Sequence, residues 1–402
     1  MKRQKKSETD RLSDLPDHLL LHIIEFMITK YAVQTCVLSK RWKNLWKSLT
    51  NIKLLYHFDR YNGDILVNKI VSHILSSRDN FVPLHSISYV NGCRIWHDVF
   101  PFKTNILAEI MEYAASHNVQ QLEIDTQTDH IRNLELPPSI FNCDSLTSLT
   151  LSLRDVYKSN TKMFPKSLNL PALKTLKLVC FTFFTGDNGY AEPFSTCNML
   201  SKLVIYTCNL QDDAQGLCIS NSKLSNLAIG TSNSHSNIHK LILCTPKLTS
   251  LTIDGIPPIF PAPSTCNLTL LEELKFDCLD GDTMGEDIFI SWLHLLAKIK
   301  IITLSFKILK LMVNILKNNS SMRAQLPSFV KLKSLKVEAY PWKCDERIRE
   351  MHAHHLFFFF FIFFFFNVNY DANNGASSST IAISSPSKPS VQNPKPIIKD
   401  IF

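Results

Sequence analysis

A template of the form L-x-x-L-x-L, with aliphatic or aromatic substitutes allowed, constrains the fold of this chain more than any other feature. Clear copies start at Val119, Leu146, Leu173, Leu200, Leu224, Leu248, Leu271 and Leu332, and weaker ones at Leu84 and Ile299. Successive starts from Val119 to Leu271 lie 27, 27, 27, 24, 24 and 23 residues apart. One such hit means little in a chain that is 45% apolar, but seven in succession at nearly constant register do not arise by chance. Within each copy the second and third apolar positions are two residues apart, so both point to one face of a short strand. The residues between and beside them point to the other face. Stacking the copies gives a parallel sheet with a buried apolar ladder and an exposed concave surface.

A template of this kind at a period of ~20–29 residues is the leucine-rich-repeat signature. Cys208 fits the Asn/Cys position of the repeat, and Cys180 and Cys278 fall one place short of it. All three are expected to pack in the core rather than to act in redox chemistry. The register places Lys177, Lys202, Tyr206, Asp254, Glu273, Lys275 and Asp277 on the concave face, and these are the candidate target-binding residues. The face is mixed and mostly polar, with both signs of charge. Without a run of Arg or Lys it does not suit a phosphate backbone, so nucleic acid is not an expected partner. No paired carboxylates, Ser-His-Asp set or Cys-His pair recurs at a spacing that suggests catalysis. A protein- or peptide-binding surface is the expectation, with no catalytic residue and no cofactor.

Ahead of the repeats, residues 10–50 predict three short helices. The first opens at Leu15-Pro16, with Pro16 early in the helix, where its missing N–H costs little. Leu19, Leu20, Ile23, Ile24 and Met27 follow at helical spacing. The second spans about residues 32–38. Ser39 is the expected N-cap of the third, in which Trp42, Leu45, Trp46 and Leu49 form one stripe with Lys40, Arg41, Lys43 and Lys47 on the other faces. Forty residues bury only a small core. Leu15, Pro16 and some of Leu19, Ile23, Val37, Leu38, Trp42 and Trp46 should therefore face outward, a surplus that marks an interface. That interface is open to either of two partners: the rest of this chain, or another protein.

The stretches "LPDHLLLHIIEFM" and "AVQTCVLSKRW", with the run V-L-S-K-R-W-x-x-L-W over residues 37–46, closely resemble the F-box of plant F-box proteins with leucine-rich repeats. The resemblance implies docking on a Skp-type adaptor and, through it, a cullin. It places Leu15, Pro16, Leu19, Ile23, Val37, Leu38, Ser39, Lys40, Arg41, Trp42, Leu45 and Trp46 at the adaptor-docking surface or in direct support of it. One departure stands out. The family usually has Leu-Pro-Thr-Lys-Asp or Glu between its first two helices, and this chain has Met27-Ile28-Thr29-Lys30-Tyr31. The missing proline removes a helix stop.

The fold class that follows is α/β: a small three-helix F-box, then a leucine-rich-repeat solenoid with a parallel sheet on its concave face. The expected boundaries are a basic disordered N-terminus at 1–9, the F-box at 10–50, a helical linker at 51–80, the solenoid at 81–345, and a poly-Phe segment with a disordered tail at 346–402. The implied function is that of a substrate-recognition subunit of a Skp–cullin–F-box ubiquitin ligase, a non-catalytic protein of the nucleus or cytoplasm. Two rivals stand beside it: a repeat scaffold in which the helical module only caps the solenoid, and a small-molecule-responsive receptor.

Composition agrees with these readings. The net charge is a modest +8, and the 11 cysteines are scattered with no C-x-x-C pair. No apolar stretch follows the basic start, so no secretory signal is expected, and a reducing compartment follows. The cluster "KRQKK" at residues 2–6 fits a nuclear import signal. The H-x-H-H group at His352, His354 and His355, near Cys344, lacks a further ligand at a familiar spacing. Residues 295–317 look membrane-like, but five lysines interrupt them. A strand followed by an amphipathic helix fits better.

Nine of the ten residues from Phe357 to Phe366 are phenylalanine. The run is too short to cross a bilayer as a helix, which needs ~20 residues, and it breaks the repeat register. No sequence like the FBD region that often follows such repeats comes after it. The segment from about His352 reads as the translation of thymine-rich codons, as from a retained intron or a mispredicted exon. The remainder, rich in Ser, Asn, Pro and Lys, reads as a disordered tail.

Overall fold

The strands fall where the template puts them. The computed structural model describes residues 12, 14–57, 63–92, 105–128, 134–155, 161–230, 238–255, 268–277, 288, 292, 294–295, 298–305, 307–308, 331–338 and 380–384. The basic cluster, the H-x-H-H group, Cys278, Cys344 and the poly-Phe run all lie outside the described residues. The chain divides into two compact units, Met1–Ser225 with Ser236–Pro246 and Phe260–Asn267, and Asn226–His235 with Lys247–Ile259 and Leu268–Phe402.

The first unit begins with helices α1 (Asp17–Glu25) and α2 (Thr29–Gln34), followed by two 3-10 segments, Thr35–Val37 and Trp42–Ser48. A parallel sheet follows, made of β1 (Asn51–His57), β2 (Ser86–Gly92), β3 (Gln121–Thr128), β4 (Ser148–Asp155), β6 (Thr175–Val179) and β9 (Lys202–Tyr206). Neighbouring strands put Ile52, Ile87, Leu122, Leu149, Leu176 and Leu203 opposite one another in one row. Each is at most 1% exposed, and burying a side chain of this kind stabilises by roughly 1.5–3 kcal/mol. A second buried row runs Leu54, Tyr89, Ile124, Leu151, Leu178, Ile205.

Just before the strands, one carbonyl per coil accepts two N–H groups of the next coil. Thr50 O takes His85 and Ser86, His85 O takes Gln120 and Gln121, Gln120 O takes Thr147 and Ser148, and the series continues through Thr147 and Lys174. The first two coils carry helices on the side away from the sheet, α3 (Gly63–Ser77) and α4 (Asn105–Ser116). In α4, Ile106, Leu107, Ile110, Met111 and Ala114 form the buried stripe. The later coils are shorter and close with small parallel layers instead. β5 (Lys162–Met163), β7 (Phe181–Phe183) and β10 (Asn209–Leu210) form one, and β8 (Tyr190–Ala191), β11 (Gly216–Ser220) and β13 (Leu241–Cys244) form another. Phe164 packs edge-on against Phe141, Phe181 and Phe183 at 5.5–5.8 Å inside these coils.

The second unit repeats the theme with β12 (Asn226–Gly230), β14 (Ser250–Asp254), β15 (Glu273–Asp277), β16 (Ile301–Ser305), β17 (Ser334–Glu338) and β18 (Thr380–Ser384), all parallel. Its two apolar rows run through Leu227, Leu251, Leu274 and Ile302, and through Ile229, Ile253, Phe276 and Leu304, all of them buried. The weaker template copies at Leu84 and Ile299 are therefore real strands, β2 and β16. The strand expected within residues 295–317 is β16; the helical stripe after it lies largely outside the described residues.

Three expectations need correction. Residues 51–80 are not a linker but a complete coil, strand β1 followed by helix α3. The signal was present: Leu49-x-x-Ile52-x-Leu54 is itself a template copy, and it stands 35 residues before Leu84, as Leu84 stands 35 before Val119. It was hidden because Leu49 also completes the apolar stripe of the third helix. That third helix is 3-10 rather than α, and Ser39 does not cap it by its side chain: the N-cap is Arg41, and Trp42 N–H donates to the Ser39 backbone oxygen. The third correction concerns the tail. Thr380–Ser384 is a strand whose Ile381 and Ile383 fall opposite Leu335 and Val337. Its short Ile-x-Ile alternation was overridden by the polar composition around it.

Candidate functional site

Three short elements cannot enclose all of their apolar residues, and the module shows which are left out. Trp42 and Trp46 turn inward at 6% and 5% exposure, and Leu20, Ile24 and Ala32 are buried with them. The sequence allowed either tryptophan to face outward; both instead build the floor. Trp42 and Trp46 lie on the inner side of their 3-10 segment, with Leu45 half-buried beside them. The outward residues are Val37 at 83% exposure, Leu38 at 63% and Leu19 at 40%, with Pro16, Ser39, Lys40 and Arg41 also exposed and Leu15 and Ile23 half-buried.

Arg41 gives this surface its shape. Its Nε donates to Asp17 Oδ1 at 2.6 Å and its Nη2 donates to the Leu15 backbone oxygen. One guanidinium thus fixes the chain entering α1 against the segment that carries Val37 and Leu38. Asp17 also sits in the first turn of α1, where a carboxylate complements the helix dipole.

The missing proline does not extend α1. Helix α1 ends at Glu25, and Ile28 holds φ −63° and ψ 135° as the N-cap of α2. That φ is the one a proline would impose, so the boundary survives without it. Sequence reasoning did not single out Phe26, 74% exposed, or Tyr31, 52% exposed. Phe26 was findable, because Leu19, Ile23 and Phe26 follow at i, i+4 and i+7 on one side of α1.

The candidate target residues sit on the sheet face opposite the apolar rows. In the first unit Lys177 faces Val204 across β6 and β9, Lys202 faces Thr175, and Tyr206 faces Val179. Along the same face the Asp125 carboxylate pairs with Arg154, and Ser88 Oγ donates to Glu123 Oε2 at 2.6 Å. In the second unit Asp254 lies opposite Asp277, Lys275 between Thr252 and Thr303, and Glu273 between Ser250 and Ile301. Glu272, just before β15, is ion-paired with Lys300, which holds its carboxyl below the usual range.

Of the described cysteines, Cys143, Cys197, Cys208 and Cys218 are buried, Cys36 and Cys180 are half-buried, and Cys244 is exposed. Burial pushes the Cys208 thiol up to about 12, and its Sγ donates to the Leu178 backbone oxygen of the preceding coil at 3.8 Å, as the Asn/Cys position of the repeat requires. Cys180 is only partly buried; its backbone is left-handed at φ 66° where the chain turns out of β6. Among the described residues no group of three His, Cys, Asp or Glu is placed to hold a metal ion, and no helix is long and apolar enough to cross a membrane.

Comparison with known proteins assigns both regions. Residues 12–54 match the F-box domain, and residues 107–255 match the leucine-rich repeats of the FBD-associated F-box protein At5g56370. The FBD-associated F-box protein At5g38590 of Arabidopsis thaliana is 31% identical over 223 residues, 55% of this chain and 50% of that protein. The F-box/LRR-repeat protein At3g26922 of the same plant is 28% identical over 278 residues, 66% of this chain and 80% of that protein. The F-box protein At4g09920, also of that plant, is 32% identical over 206 residues. Against the first relatives matched, the chain spans about half of their length, 50%, 55% and 46%.

Proposed function

We propose, for a chain with the domain order of the plant F-box/leucine-rich-repeat proteins, that it is the substrate-recognition subunit of a Skp–cullin–F-box ubiquitin ligase. The domain pair and its relatives support an adaptor-type role in general. The observation that carries the finer reading is the outward apolar set on so small a module: Val37, Leu38 and Leu19 stay exposed while both tryptophans are spent on the core. This surface holds the Skp-type adaptor, and the sheet face opposite the apolar rows holds a target protein. The chain's contribution to ubiquitin transfer is proximity. It raises the effective concentration of the target's lysines near the transferring enzyme and needs no catalytic residue of its own. The nucleus or cytoplasm is where this would take place.

Reconstitution tests the reading. The full chain, a purified Skp-type adaptor, a cullin–RING pair and the ubiquitin-activating and -conjugating enzymes are expected to co-purify and to ubiquitinate proteins bound to the chain. Proximity labelling in cells with the proteasome inhibited then names the targets. If the chain stays outside the complex, or labels the same proteins after Lys177→Glu with Lys202→Glu, the reading fails at the adaptor or at the target face respectively.

A further inference from the structure

The outward face of the first unit's sheet separates its charges by strand. The two acids of β3 are already engaged. Ser88 Oγ of β2 donates to Glu123 Oε2 at 2.6 Å, which draws that carboxylate toward β2, and Asp125 is ion-paired with Arg154. Arg154 is engaged in turn, since its Nε also donates to Ser152 Oγ at 3.2 Å. On β4, β6 and β9 the charged residues of this face are Arg154, Lys177 and Lys202, all cationic. Among the described residues no carboxylate pairs with either lysine. Lys177 stands opposite Val204, two residues along β9 from Lys202. With strands about 4.8 Å apart and a rise of about 3.3 Å per residue, their Cα atoms lie about 8 Å apart. Beside them is a half-buried apolar patch: Val179 is opposite Tyr206, and Val204 lies between Lys202 and Tyr206 on β9.

We infer that this corner of the sheet takes an acidic segment of a target protein in extended conformation, with carboxylates on two alternate residues and a large apolar residue two positions further on. Spacing carries the inference. Alternate side chains of an extended chain recur on one side every ~6.6 Å. Laid along β6 and β9, such a chain brings successive carboxylates over Lys202 and Lys177 and its apolar side chain over Val179 and Tyr206. Aspartate or glutamate supplies the charge rather than phosphate. A phosphoryl group is best held by an arginine fork, and the fork of Arg154 is turned to Asp125 and Ser152. A lysine ammonium is a point charge that suits a single carboxylate. A nucleic-acid backbone would repeat its negative charge across the sheet and meet the carboxylates of β3. The inference names the target chemistry of the face assigned above, and it rests on the ligase reading only for the fate of the bound protein.

The test is fluorescence anisotropy of the purified full chain, without adaptor, against a dye-labelled peptide centred on Glu-Ser-Glu-Ser-Phe. Saturable binding is expected, about ten-fold tighter than for a Gln-Ser-Gln-Ser-Phe peptide, as for two exposed ion pairs. The difference should fade as the salt is raised to about 0.5 M. Replacing the peptide's Phe by Ser should weaken binding about five-fold, because the apolar patch is left uncovered. Lys177→Met with Lys202→Met is expected to erase the difference between the two peptides. Lys177→Arg with Lys202→Arg is expected to keep it, which also shows that the altered face is folded. Equal affinity for the two peptides, a difference that survives in the Met variant, binding only of a version phosphorylated on its serines, or tighter binding of a single-stranded RNA of similar charge would each overturn the inference. The assay omits the adaptor, so those outcomes leave the adaptor claim standing. A chain that binds the peptide but not the adaptor would sink the ligase reading alone.

Discussion

The module at residues 17–48 and the coils that follow it solve the same problem in opposite ways. The coils from Val119 to Phe276 hide their template residues almost completely, because neighbours on both sides lend their apolar rows: Leu149 and Leu203 flank Leu176, and all three are fully buried. What the coils show to water is mostly polar, with Phe81 at 98% and Leu270 at 52% exposure as large apolar exceptions. Among the described residues the module packs on the first coil alone, through β1 and the end of α3. It buries two tryptophans and still leaves Val37, Leu38, Leu19, Phe26 and Tyr31 exposed. The lesson is one of density: the coils expose single large apolar residues far apart, while the module gathers several on about twenty residues, a surplus of the kind that marks an interface.

The largest expected effect tests the closed half of that comparison. Leu176→Ala in the coils should cost about 3 kcal/mol of stability. Trp46→Ala in the module should cost about 3–5 kcal/mol, because Trp46 is floor rather than docking surface. Urea unfolding followed by circular dichroism reads both. A Trp46→Ala chain of native stability that merely loses the adaptor would return Trp46 to the surface role that its sequence position suggested.

The open half predicts the reverse pattern. Val37→Ala with Leu38→Ala should move the urea midpoint hardly at all, since exposed substitutions stay within about 0.5 kcal/mol each. The same pair should weaken adaptor binding by about 2 kcal/mol, roughly 30-fold, as anchor residues at an interface do. Titration calorimetry separates the two effects. A stability loss with unchanged affinity would mean that these residues pack on the chain itself.

A further effect, small near pH 9 and growing above it, is a pH dependence that comes from the buried thiols of the coils. Burial pushes the Cys208 and Cys218 thiols up to about 12 from an ordinary 9.0. Their folded forms keep the proton that the unfolded chain gives up from pH 9 onward. The stability they contribute is complete below pH 9 and is lost as the pH rises toward 12. Urea midpoints measured above pH 9 should therefore fall, with a shallower slope in Cys208→Ala.

The coils were the legible part of the sequence, because a strand period of two inside a longer period leaves little freedom: every clear template start is followed by a strand in the described residues. The module was legible in kind but not in detail. Helical spacing cannot distinguish an α-helix from a 3-10 helix over seven residues, and it does not say which members of an apolar stripe turn inward, as Trp42 and Trp46 do. Arg41 was read as one cation of a polar face, and its bonds to Asp17 and Leu15 span 24 and 26 residues that no local pattern connects. The junction was missed for a related reason. Leu49 serves the module's stripe and the first template copy at once, and a reading that assigned it once could not see the second use. Thr29 belonged to a stretch noted only for its missing proline, yet its hydroxyl holds the edge of β1.

The central claim is that the module's outward face docks a Skp-type adaptor. Titrating the purified full chain with a purified Skp-type adaptor tests it most directly. The account predicts saturable one-to-one binding that is lost in Leu15→Ala with Pro16→Ala, in a chain whose urea midpoint is close to native. No binding by the native chain, or equal binding by the double variant, would contradict it.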